Sequence, residues 1–205
     1  MRRLAIAAAF ITLAVGTALA QAPPAGTPIR IRGTIDKLDG QTLVVKSREG
    51  PVLTIALAPN FVVSGVIKKS MADIKPGDFV ASTSVKGTDG KLHAVEVHIL
   101  PDALRGVVPE AQYPWDLVPD SLMTNAIASG IVQAPGGGQV LKLTYKGTEA
   151  ELIVGPDVPV ASSVPGNASL LKPGAAVYIA ALKKDDGSLT AARVTAEKDG
   201  VKPPL

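Results

Sequence analysis

Two stretches of this chain match each other at a constant spacing of 97 residues. Gly33 matches Gly130, Lys75-Pro76-Gly77 matches Lys172-Pro173-Gly174, and Asp89-Gly90 matches Asp186-Gly187. Leu92, Ala94 and Val97 match Leu189, Ala191 and Val194. Register held across three separated markers implies a duplicated unit, and such a repeat constrains the architecture ahead of any local reading.

Within the first unit, residues 29–100, Ile29, Ile31, Gly33 and Ile35 alternate with Arg30, Arg32, Thr34 and Asp36. That period of two predicts a half-buried strand. Asp39-Gly40 predicts a hairpin turn. Leu43-Val44-Val45 opens a second strand, Val52, Ile55 and Leu57 belong to a third, and Phe61 to Ile67 reads as a fourth. Ser70 to Ile74 reads as one helical turn. Lys75-Pro76-Gly77-Asp78 has the proline and glycine that a type II turn requires. A further strand runs through Phe79, Val80 and Ala81, and Asp89-Gly90 turns the chain into a last one near Leu100. The second unit, residues 126–198, follows the same plan. Short strands separated by Gly and Pro turns, without helical periodicity, predict an all-β fold. Five or six strands in about 70 residues fit a small OB-like barrel. The expectation is two tandem OB-like β-barrels packed on each other.

The ends carry different information. Arg2 and Arg3 precede an uncharged apolar run from Leu4 to Val15, and Ala18-Leu19-Ala20 supplies small residues for cleavage. Residues 1–20 thus read as a signal peptide, and the expected location is the periplasm or the medium. A 20-residue signal removed from 205 residues leaves 185, with 19 basic and 18 acidic residues, net +1. No later apolar run is long enough to span a bilayer as a helix. The chain has no cysteine, so its stability must come from packing without disulfides. Residues 21–28 read as a flexible leader and residues 199–205 as a tail. Near-zero charge and few aromatics argue against a nucleic-acid partner.

Residues 101–125 break the repeat. They hold four prolines and Trp115, the only tryptophan. Tyr113-Pro114-Trp115 is too apolar for a purely disordered linker, so this segment is expected to dock on a barrel or on the seam between two.

Several of these runs resemble a known family. Arg32-Gly33-Thr34-Ile35, Asp39 to Val45, Ile74 to Asp78 and Asp89 to Leu92 are similar to an exported bacterial family of domains of unknown function built as small β-barrels. The linker resembles a two-unit subgroup sometimes labelled metal-transporter permease. That label does not fit a chain with no membrane-spanning run. The resemblance implies a small barrel and export, and it transfers no catalytic residue.

Candidate chemistry is sparse. On a regular strand Glu96 and His98 share a face and form the candidate metal pair, with Asp102 near in sequence. His93 and His98, five apart, point to opposite faces unless a bulge between Ala94 and Val97 changes the parity. No nucleophile elbow surrounds Ser64, Ser82, Ser84 or Ser121, and Asp185-Asp186 falls in a hairpin turn, so no enzyme and no cofactor are expected. Arg30 and Arg32 share the outward face of the first strand, where they fit a charged edge or, less simply, a site for phosphate or an acidic partner. Tyr113, Trp115 and Asp116 are the candidate binding residues, with indole exposure as the deciding observation. The expected function is a non-enzymatic binding or interaction module of the cell envelope, taking a small ligand or an envelope protein at the barrel seam. The alternative is an accessory protein for periplasmic metal handling.

Overall fold

A computed structural model describes residues 26–134 and 137–203. The expected signal peptide lies outside the described residues, as do residues 21–25 of the leader and Gly136 of the second unit's glycine turn. The strands, in chain order, are β1 (Thr27–Asp39), β2 (Thr42–Ser47), β3 (Val52–Lys69), β4 (Phe79–Lys86), β5 (Leu92–Ile99) and β6 (Ala111–Pro114). They continue with β7 (Leu122–Gln133), β8 (Gln139–Tyr145), β9 (Thr148–Val154), β10 (Val160–Pro165), β11 (Ala176–Lys183) and β12 (Leu189–Ala196). The fold is all β, and no helix among the described residues is long and apolar enough to cross a membrane.

Two circuits of five strands close on themselves. The first runs β1–β2–β3–β12–β11 and back to β1, with β12 parallel to β3. The second runs β7–β8–β9–β5–β4 and back to β7, with a short parallel contact between β5 and β9. Each encloses its own apolar cluster. Ile31, Leu43, Ile55, Val177 and Val194 fill the first barrel. Val80, Val97, Ala126, Leu141 and Leu152 fill the second. The alternation in β1 explains the inside: Ile31 and Ile35 are 2 % exposed, while Thr34 and Asp36 face water.

The barrel boundaries do not follow the chain order expected from residues 29–100 and 126–198. β1 to β3 close their barrel with β11 and β12, and β7 to β9 close theirs with β4 and β5. The barrels are therefore interleaved rather than tandem. The physical cause lies in β3. It was expected as two strands, but it runs unbroken from Val52 to Lys69. At about 3.3 Å per residue it carries the chain out of the first barrel before the Ser70–Ile74 turn releases it. Its far end pairs with β10 in an antiparallel ladder centred on Val66 and Ser163, with Ser64 opposite Pro165 and Lys68 opposite Ala161. Parallel contacts flank this ladder: Val63 with Val194, and Val97 with Val160. Each contact thus recurs with the two halves of the chain exchanged.

The match of Gly33 to Gly130 does not hold. Gly33 lies opposite Val177, whereas Val80, 97 residues before Val177, lies opposite Ala126. Ala126 therefore stands where Gly33 stands. The reason is the hairpin after the first strand of each half. Asp39 pairs directly with Thr42, but Gln133 pairs with Gln139 across a longer connection. The expected turn at Lys75–Asp78 is present: the Asp78 amide donates to the Lys75 carbonyl at 3.0 Å, and Gly77 has φ of 94°.

Candidate functional site

β1 turns Arg30 and Arg32 away from the barrel interior, and β11 sets Tyr178 directly opposite Arg32. The segment between β6 and β7 then folds over them, as the linker was expected to do. The Trp115 amide donates to the Ser121 carbonyl at 2.8 Å, and the Ser121 hydroxyl donates to the Val118 carbonyl at 2.6 Å. These bonds close a compact loop. Its base is clamped by the pairs Tyr113–Met123 and Pro114–Leu122, and Asn125 donates to the Tyr113 hydroxyl at 3.0 Å.

The loop meets three arginines. Arg32 Nη2 donates to Asp116 Oδ1 at 2.9 Å, and Arg30 Nη1 lies 3.5 Å from Asp116 Oδ2. Arg48 donates from Nη2 to the Asp116 carbonyl and from Nη1 to the Leu117 carbonyl, both at 3.3 Å. The Arg30 guanidinium lies 4.0 Å from the centre of the Trp115 ring, and Tyr113 meets that ring edge-on at 5.8 Å. Arg32 lies 5.5 Å from the Trp115 ring and 5.2 Å from the Tyr178 ring. Such cation–π contacts strengthen when the cation is out of water.

Arg32 is 3 % exposed, so it is not the solvated edge charge that its outward position in the sequence suggests. Its Nε is buried and has no acceptor among the described residues. Burial pushes the Asp116 carboxyl up, but the hydrogen bond and charge of Arg32, aided by Arg30, outweigh it and hold the group below the usual carboxylate range. Burial pushes the Tyr178 phenol up. The indole of Trp115 is half-buried, neither core nor open platform. Of the expected residues, Tyr113, Trp115 and Asp116 are thus brought together. Arg48 and Tyr178 were missed. The signal available for Tyr178 was its outward parity on β11, between Val177 and Ile179, both of which face the core.

Glu96 and His98 do lie on one face of β5, but they diverge. Glu96 accepts from the Thr83 hydroxyl on β4 at 2.8 Å, while His98 Nε2 lies 2.9 Å from the Ser163 hydroxyl on β10. β5 sits between those two strands, so the side chains lean apart. The bulge allowed for in the sequence is present: Glu96 pairs with Thr83 and Ala94 with Ser84, leaving Val95 extra. His93 and His98 then share a face, opposite Val85 and Ala81. Four residues of strand still separate them by about 13 Å, far beyond the reach of one metal. His93 instead contacts the Asp89 carboxylate at 3.1 Å. No group of three or more metal-ligating side chains occurs among the described residues.

Burial pushes the His98 imidazole down from 6.5 to about 4. A histidine depressed in the folded state leaves the unfolded chain holding the extra proton between those values. Stability is then complete above about pH 6.5 and falls as pH drops toward 4, by about 3 kcal/mol. Burial pushes the Glu96 carboxyl up, against the pull of its Thr83 bond; this rise acts in the opposite sense to His98 and favours the fold as pH falls. His98→Gln is expected to flatten the loss between pH 6.5 and 4.5, read as urea midpoints at several pH values. An unchanged slope would rule out His98 as its source.

A shallow groove of about 460 Å³ lies outside the first barrel, lined by Ala56, Ala180, Leu182 and Thr190 and rimmed by Lys184 and Arg193. None of the buried polar atoms without a hydrogen-bond partner belongs to its lining. No protein-family model, curated protein or solved structure matches the chain, so the family resemblance rests on the turn and strand residues that suggested it.

Proposed function

We propose that this protein is a non-enzymatic binding module of the cell envelope, exported by its N-terminal segment, and that it takes its ligand beside the Trp115–Ser121 loop. The observation that carries the reading is Arg32: a buried guanidinium between two aromatic rings, with one hydrogen-bonding edge only half used. Burying a cation is costly unless its donors are satisfied. A buried arginine beneath a surface loop fits recognition better than packing, since an apolar side chain fills such a position at no electrostatic cost. Trp115 and Arg30 add the aromatic and cationic contact types that concentrate at binding hot spots. The apolar run at residues 4–15 and the small residues before Gln21 support export.

The test is native mass spectrometry with elemental analysis on the protein taken from its own cells. An organic or peptide adduct lost in Arg30→Gln and Trp115→Ala supports the reading. A stoichiometric metal lost in His98→Ala replaces it with metal handling. A bare chain under several growth conditions, with no cross-linked partner in the intact envelope, contradicts it.

A further inference from the structure

The Nε–H and Nη2–H bonds of an arginine point the same way, so one carboxylate can accept both side by side. At Arg32 Asp116 is reached through Nη2 alone, at 2.9 Å. The second Asp116 oxygen turns to Arg30 instead, and Nε keeps no acceptor. Asp116 itself is 49 % exposed while its partner is buried, so the carboxylate reaches the arginine from the solvent side. Arg48 meanwhile holds two successive backbone carbonyls, those of Asp116 and Leu117. Carbonyls in sequence are a feature of a peptide, not of a free anion. Arg30 adds a face for the aromatic ring that precedes the acid.

We propose that Arg30, Arg32 and Arg48 form a docking site for an acidic peptide segment of a partner protein, and that the Trp115–Ser121 loop fills this site as an internal stand-in. The inference rests on the reading that the ligand is taken beside the Trp115–Ser121 loop and names what binds there. In this proposal the loop moves as a unit and uncovers Leu117, which is 8 % exposed while the loop is seated. It closes on itself through Trp115 and Ser121, and its paired base ends at Pro114 and Leu122. It can therefore swing away without unpairing β6 from β7. A partner aspartate seated side-on would supply the acceptor that Nε lacks, which Asp116 does not. The tethered loop competes at high local concentration, so the partner gains the site only by making this better contact.

The chain's single tryptophan reports on the loop. Asp116→Asn removes the charge that holds the loop and keeps the shape of the side chain; because it also leaves Arg32 without its counter-charge, the melting curve of the variant is recorded beside the binding data. The probe is a capped pentapeptide, tyrosine-proline-phenylalanine-aspartate-leucine, with its asparagine counterpart as control and glutarate as a small carboxylate. The expected result is at least tenfold tighter peptide binding to Asp116→Asn than to the unaltered protein, accompanied by a shift in Trp115 emission. The asparagine peptide is expected to bind at least tenfold more weakly. Adding Arg30→Gln, at an exposed position, is expected to weaken binding again without unfolding the chain. Equal binding to the unaltered protein and Asp116→Asn, or equal binding of the two peptides, overturns the proposal. Glutarate binding as tightly as the peptide overturns the peptide assignment while the seam remains a carboxylate site. Retention of a non-acidic ligand in the mass spectrum, with no peptide binding, overturns this inference alone.

Discussion

Replacing Gly33 with alanine is expected to lower stability by about 3 kcal/mol, and replacing Gly130 with alanine is expected to change it by less than about 1 kcal/mol. A Cβ on Gly33 falls 2.2 Å from the Lys46 carbonyl oxygen and 2.9 Å from Val45 Cγ1. The clash is with backbone, which cannot rotate aside. β1 and β2 must separate, and with them the barrel that Ile31, Leu43 and Val45 fill. Around Gly130 nothing lies within 4 Å of such an atom, and alanine there even lowers the entropy lost on folding. At roughly 2–4 °C per kcal/mol for a chain of this size, the first change lowers the melting temperature by about 6–12 °C. Similar responses at the two glycines would contradict the register described for β1 and β7.

Phe79→Ala is expected to cost about 3–5 kcal/mol, the range for emptying a buried aromatic site. Phe79 is 1 % exposed and is the largest fully buried side chain among the described residues. It does not face the barrel interior. Its neighbour Val80 does, so Phe79 points outward and is covered by the segment that follows β5. Arg105 lies over its ring at 5.7 Å and donates to the Gly77 carbonyl at 2.5 Å. The substitution therefore loosens the linker as well as destabilising the second barrel. Melting curves together with cleavage rates between Asp102 and Pro109 separate the two effects. A loss below about 1 kcal/mol would mean that the site collapses around the alanine.

The strands and turns were legible because they are local. Alternation at Ile29 to Ile35, the Pro-Gly turn at Lys75–Asp78 and the Asp-Gly hairpins each follow from residues close in sequence. Barrel membership was not legible. Nothing local to β4 or β11 says which barrel it closes, and the answer depends on how far β3 extends before it turns. Phe61 to Ile67 was readable as strand, but its continuity through Pro59-Asn60 was not, since that pair normally signals a break. The candidate site divides the same way. Trp115 and Asp116 stood out because they interrupt a repeat. Arg32 looked like an ordinary outward charge, because its burial comes from a loop more than 80 residues away. Tyr178 had no local signal beyond strand parity, and Arg48, in the turn after β2, had none. For Glu96 and His98 the shared strand face was legible, but the separate partners that draw them apart, Thr83 and Ser163 on different neighbouring strands, were not.

Interleaving is the claim on which the rest depends, because it sets the seam and the loop that covers it. A protease site placed at Gly106-Val107, where Val107 is 67 % exposed, tests it directly. After complete cleavage, native mass spectrometry is expected to show both fragments in one particle, with the melting temperature lowered only modestly, because each barrel takes strands from both sides of the cut. Two separate, independently folded fragments, one from each side of the cut, would contradict the account and restore a tandem arrangement.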